Sequence, residues 1–230
     1  MSRRTPMQKL ARWHIRLGWL VGVPLLLWTL SGLIMVARPI DEVRGNHLRI
    51  EPTAVAMTVD FGGKGAAIRF SEGRLIQQRG RAILLATLPD GTTARYDVTR
   101  PEVGPLPPVD EAEARAAVAT EIVGGKQVVS VRLFPAEQAP LDFRRPVAAW
   151  QVVLADGTHV YVGQASGEIE AVRTRWWRTF DFMWGLHIMD LETREDTHHP
   201  LLIGFAALAL IGCLIGTVLL FRRRRRPISR

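Results

Sequence analysis

The chain has 230 residues, enough for one domain or two small ones, with 47% hydrophobic residues and a formal net charge of +8. The basic excess sits in Arg3, Arg4, Lys9, Arg12 and Arg16 at one end and Arg222 to Arg226 at the other, each beside an apolar run; that placement is membrane-anchor charge and argues against nucleic acid as a partner. Cys213 is the single cysteine, which excludes an internal disulfide and any zinc or iron–sulfur site built from cysteines.

A basic tail, residues 1–16, leads into an uncharged run from Leu17 to Ala37. Roughly 20 apolar residues make a helix that crosses a ~30 Å hydrocarbon core. Pro24 is expected to kink it. A cleaved signal would have a shorter apolar core and a small-x-small site. This run ends in Val36-Ala37-Arg38-Pro39, and Pro6 and Met7 break the twin-arginine pattern after Arg3-Arg4, so an uncleaved anchor is expected.

Residues 38–104 read as strand-rich: Ala82 to Leu88, a turn at Asp90-Gly91, then Thr92 to Val98. Pro105-Leu106-Pro107-Pro108 reads as a stiff linker. Beyond it, Asp110 is placed to cap a helix over Glu111 to Val123, stopped by Gly124-Gly125. Strands follow at Gln127 to Phe134 and Ala148 to Leu154. A hairpin at Asp156-Gly157 returns through Thr158 to Val162, and a turn at Ser166-Gly167 leads to Glu168 to Val172. Strand–Asp-Gly-Thr–strand thus occurs twice, about 66 residues apart. A degenerate PepSY-like repeat and independent use of Asp-Gly hairpins both account for it.

Residues 175–199 form an amphipathic segment whose Trp176, Trp177 and Trp184 suit a membrane interface. The second uncharged run, Leu201 to Phe221, lies within 200–221, and a basic tail, 222–230, closes the chain and suits anionic lipid. Lys and Arg crowd the outer flanks of both runs, so the positive-inside rule puts both termini in the cytoplasm and the central part outside it. The expected fold class is a membrane protein: two transmembrane α-helices flanking an extracytoplasmic α+β domain with an antiparallel sheet.

The segment 109–173, one helix and then a meander containing AAWQVVLADGTHVYVGQASGEIEAV, resembles a PepSY domain. The flanks RWHIRLGWLVGVPLLLWTLSGL and FDFMWGLHIMDLETREDTHHPLLIGFAALALIGCLIG resemble the PepSY-associated transmembrane family. The carrying features are a His-bearing first span ending in Ser31-Gly32, a Leu186-His187-x-x-Asp190 segment, and a second span opening at His199-Pro200. Larger members of that family have more helices and include haem-bearing inner-membrane reductases of iron–siderophore complexes. The resemblance therefore implies a bacterial-type inner membrane, a periplasmic or extracellular central domain, and haem b. It also implies one-electron transfer linked to iron uptake or ferric-siderophore reduction, as a component of a ferric reductase-like system. The alternative is a non-catalytic, membrane-anchored PepSY module that binds or regulates a protease or sensor.

Four of the six histidines, His14, His187, His198 and His199, border the apolar runs. A neutral imidazole nitrogen is an axial ligand for haem iron, and the resemblance implies His14, His187 and His199 as iron ligands with His198 beside them in the cofactor site; an interfacial polar residue at 14 and a helix-start pair at 198–199 is the alternative. His47 and His159 read as surface or hairpin side chains. His14 belongs to the cytoplasmic mouth and His187 and His199 to the outer one, about 30 Å apart, so a two-span monomer cannot share one haem between them. A homodimer or larger membrane complex would assemble four helices and hold a haem near each face. Gly18-x-x-x-Gly22 and Gly212-x-x-x-Gly216 offer small-residue faces for packing within one chain or between two. Asp190, Glu192, Glu195 and Asp196 surround His187 and His199 and read first as a solvated loop, with acceptors that orient the imidazoles as the alternative. No His-Glu-x-x-His, Gly-x-Ser-x-Gly or P-loop pattern is present, and no catalytic residue is expected.

Overall fold

A computed structural model describes residues 5–51, 69–99 and 104–223. The chain divides into two compact units, Met1–Arg38 with Thr179–Arg230, and Pro39–Arg178.

The first unit is built on two long helices, α1 (Pro6–Met35) and α5 (Pro200–Arg223). α1 starts well before Leu17 because the local sequence caps it. Pro6 stands at its first position, and the Thr5 amide donates to Gln8 Oε1 at 3.1 Å. It passes through Pro24 as one continuous helix and stops ahead of Pro39. The two helices pack on each other but bury little. Trp19 is 85% exposed, Leu26 67% and Leu210 62%. Apolar side chains bared to that extent along both helices would be untenable in water. Both helices are long and apolar enough to cross a membrane.

The central unit opens with a short helix α2 (Ile40–Val43) and a 3-10 turn (Asn46–Leu48). Strands β1 (Glu72–Gln78), β2 (Arg81–Thr87) and β3 (Thr93–Asp97) form a three-stranded antiparallel sheet in chain order. Helix α3 (Glu111–Glu121) begins where Asp110 accepts the Glu113 amide at 2.7 Å. Strands β4 (Val128–Phe134), β5 (Ala149–Leu154), β6 (His159–Gly163) and β7 (Ile169–Arg173) then form a four-stranded antiparallel meander. α3 turns Ala114, Ala117 and Val118 onto Val152, Val160 and Val172 of that sheet, all buried. Each such valine contributes roughly 1.5–3 kcal/mol, more than any surface ion pair here.

The two Asp-Gly hairpins are built alike. Asp90 Oδ1 accepts the Thr92 amide and hydroxyl, and the Asp156 carboxylate accepts the same two groups of Thr158. The proline segment between the sheets is tied at both ends. The Leu106 amide donates to the Arg95 carbonyl at 2.7 Å and the Val109 amide to the Gln164 carbonyl at 2.8 Å. Gln78 Nε2 also donates to the Ser166 carbonyl at 2.8 Å. The two sheets therefore share one unit, and the prolines act as a strap within it.

Helix α4 (Arg175–Ile188) realises the amphipathic segment; the boundary between the two units falls inside it, after Arg178.

Candidate functional site

The histidines of the first unit separate into two half-buried imidazoles, His14 and His187, and the pair His198-His199 just ahead of α5. His14 sits on α1 opposite α5. Its Nδ1 lies 3.1 Å from the Gly212 carbonyl, which can only accept, so Nδ1 carries the proton. The ring lies on Gly216, where an added Cβ would come within 2.8 Å of Cε1. Gly212 and Gly216 thus form a seat for one imidazole: the first supplies the acceptor and the second the room. Around Gly18 and Gly22 an added Cβ meets nothing within 4 Å among the described residues.

His187, in the last turn of α4, meets the other end of α1. Ser31 Oγ donates to the Trp28 carbonyl at 3.0 Å and lies 3.0 Å from His187 Nδ1. A hydroxyl proton given to the carbonyl makes Nδ1 the donor to Ser31, and one given to Nδ1 puts the imidazole proton on Nε2. Trp28 lies beside the imidazole at 5.7 Å between ring centroids, and its own Nε1 is buried without an acceptor among the described residues. Ser31 is fully buried, a polar residue inside an apolar helix. Both half-buried imidazoles are thus held through Nδ1, and the carbonyl partner of His14 leaves its Nε2 as the basic nitrogen. Seventeen positions along α1 separate His14 from Ser31, ~25 Å at 1.5 Å per residue. The structure therefore does not bring His14 and His187 together.

His199 takes the capping place of α5, its Nδ1 3.4 Å from the Leu201 amide. His198 is exposed, with Nδ1 3.4 Å from the Thr197 hydroxyl.

Asp190 is not an acceptor for an imidazole among the described residues. Its carboxylate collects the amides of Glu192, Thr193, Glu195 and Asp196 and the Thr193 hydroxyl. Those bonds, the Thr193 hydroxyl foremost, hold its pKa far below the ordinary carboxylate value. Asp190 folds the 189–197 loop and His187 takes Ser31 instead. A second tie closes that loop, an ion pair between Arg194 and Asp181 at 2.5 Å.

The central unit holds a cluster that the sequence reading passed over. His159 Nδ1 lies 2.9 Å from Asp142 Oδ2, Tyr161 donates its hydroxyl to Asp142 Oδ1 at 2.6 Å, and Gln151 Nε2 donates to the Tyr161 oxygen at 2.6 Å. Burial, and then the Asp142 bond, push the Tyr161 hydroxyl well above its ordinary pKa. His159 follows an Asp-Gly turn, and nothing in its neighbours names Asp142, so the hairpin reading was the natural one.

No group of three or more metal-ligating side chains gathers among the described residues. A family model described as the PepSY-associated TM region matches residues 11–230. No curated protein and no solved structure matches the chain.

Proposed function

The chain belongs to the PepSY-associated transmembrane family, and from that premise we propose that it binds haem b and passes single electrons across a bacterial-type inner membrane. Both termini would be cytoplasmic and the acceptor side periplasmic, with iron uptake or ferric-siderophore reduction as the outlet. The observation that carries this reading is the state of the two imidazoles. His14 and His187 each have Nδ1 tied to an oxygen, at separate levels of one apolar helix. Ligating histidines are held in this way, since the bond at the far nitrogen fixes tautomer and orientation. The buried Trp28 Nε1 beside His187 offers a further donor to a polar group on a ligand.

His187 would hold haem at one level and His14 at the other, since a neutral imidazole nitrogen suits haem iron. Bound there, haem would supply one-electron chemistry. The chain's own part is to orient and shield. Ser31 and the Gly212 carbonyl act as positioning groups, each holding one imidazole through Nδ1. Trp28 and the apolar faces of α1 and α5 keep water from the ring. Each level holds one such imidazole per chain, so a second copy of the chain would complete each pair.

The test is the absorption spectrum of the full-length protein, expressed with haem supplementation and purified in detergent, with haem quantified against protein. A stoichiometric Soret band is expected. His14→Ala and His187→Ala should each remove part of it, and the losses should add in the double variant. Unchanged spectra in both single variants would sink the ligand assignment. Complete loss from one would mean a single haem and would undo the two-level arrangement. No Soret band at all would leave the membrane-anchored partner-binding module as the function.

A further inference from the structure

A cavity of about 470 Å³ lies in the central unit, between the β1–β2 hairpin and the start of α3. That volume is within the roughly 300–1,000 Å³ typical of small-molecule sites. Its walls set three guanidinium groups, Arg79, Arg81 and Arg95, against the carboxylate of Glu113. Strand alternation explains the grouping. Arg81 and Ile83 share one face of β2, Arg95 and Asp97 one face of β3, and Ile83 pairs with Asp97. Asp97 stands 4.0 Å from Arg81, so the cluster counts three cations and two anions.

Arg95 is the fixed wall. It is 2% exposed, and it donates to both oxygens of Glu113, at 2.7 and 3.1 Å, and to the Pro107 carbonyl at 3.0 Å. Arg79 also reaches Glu113. Yet Arg79 Nη1 and Arg95 Nε are shielded from water and meet no acceptor among the described residues. Buried guanidinium N–H groups without acceptors are costly in a folded chain.

The backbone gives an independent sign. Arg79 and Gly80 form the two-residue turn between β1 and β2, with φ of 48° and 79°. The first place in such a turn favours Asn, Asp or Gly, because the Cβ of most other residues is strained at positive φ. An arginine kept there against the local preference directs attention to its side chain.

We propose that this cavity binds a small polyanion bearing carboxylate or phosphate groups, gripped by Arg79 and Arg81 against the Arg95–Glu113 pair. A guanidinium fork matches either oxyanion in a bidentate manner. The site lies wholly in the central unit and does not depend on the haem reading.

The test uses the full-length protein in detergent, titrated with citrate and separately with inorganic phosphate, against sodium chloride at matched ionic strength. Calorimetry should show saturable one-to-one binding of at least one probe, with a matching rise in Tm. Citrate and phosphate together decide which oxyanion the cavity prefers. Arg79→Asn removes the guanidinium and installs a residue that the turn favours, and Arg81→Gln alters an exposed side chain. Each should weaken binding roughly tenfold or more. R79N exchanges the Glu113 ion pair for a residue the turn favours, and a cooperative unfolding transition in anion-free buffer shows that lost binding is not lost folding. Equal Tm shifts in chloride, or wild-type affinity in both variants, would overturn the proposal.

Discussion

Two residues show how one side chain settles local physics. Gly216 lacks the atom that would strike His14, whereas Gly18 faces open space. Gly216→Val should therefore lower the thermal stability of the detergent-solubilised protein, by about 1–3 kcal/mol as overpacking does. Gly18→Val should leave it nearly unchanged. Equal effects would mean that His14 is not seated on Gly216. Glu113 carries the second case. The Arg95 hydrogen bonds hold its carboxyl below the ordinary value, against the opposing pull of partial burial. Its folded pKa is depressed, so the stability it contributes is present above the unfolded value near 4.3 and is lost as pH falls through the folded pKa. Glu113→Gln should destabilise the central unit by about 2–3 kcal/mol at pH 7, less than a fully buried pair because Glu113 is partly exposed. Its deficit relative to wild type should shrink below about pH 4. A deficit that persists unchanged in acid would remove the ion pair as its cause.

Among the elements, legibility followed how strongly the local sequence dictates backbone geometry. The helix after Asp110 was readable because a capping carboxylate precedes it and Gly124-Gly125 follows it. Gly125 is the tighter stop: an added Cβ there would lie 1.9 Å from the Val118 carbonyl oxygen, whereas at Gly124 it meets nothing within 4 Å. Gly125→Ala should thus unfold the end of α3, and Gly124→Ala should cost only its left-handed backbone, about 1–2 kcal/mol. Urea denaturation of the two variants checks the order, and a milder Gly125→Ala would refute it. Strands β5 and β6 were readable from alternation around Asp156-Gly157. β1 was not, since Glu-Gly-Arg-Leu-Ile-Gln-Gln is largely polar and its turn carries Arg79 where Asn is usual. The early start of α1 was missed because charge was read as tail. Lys9, Arg12 and Arg16 are helical, and their aliphatic stems suit the headgroup layer. At the site, the histidines were legible from their place beside apolar runs. Their partners Ser31, Gly212 and Gly216 lie far along the chain, and only packing brings them together.

At the scale of the whole molecule, the same packing decides what can be cut away. Segment 109–173 holds the α3 core, yet Leu48 covers that core, the Ile50 amide pairs with the Glu121 carbonyl, and Arg95 pairs with Glu113. A fragment of residues 39–178 should unfold cooperatively, while 109–173 alone should be markedly less stable in the same denaturant series. Equal midpoints would show that the first sheet adds nothing. The last expectation concerns orientation. α1 is 30 residues long, ~45 Å, well over a ~30 Å hydrocarbon core. Leu17 to Met35 covers ~28 Å of it, so the turns through Arg16 fall in the headgroup layer with Lys9 and Arg12. The second span is followed at once by Arg222. By the positive-inside rule both basic ends are expected on the cytoplasmic side, and residues 39–178 on the other. Alkaline phosphatase fused after Asp156 should be active and after Arg230 inactive, with the reverse for a cytoplasm-dependent fluorescent reporter. A cytoplasmic signal from the Asp156 fusion would invert the topology and place the acceptor side of the proposed electron path on the wrong face of the membrane.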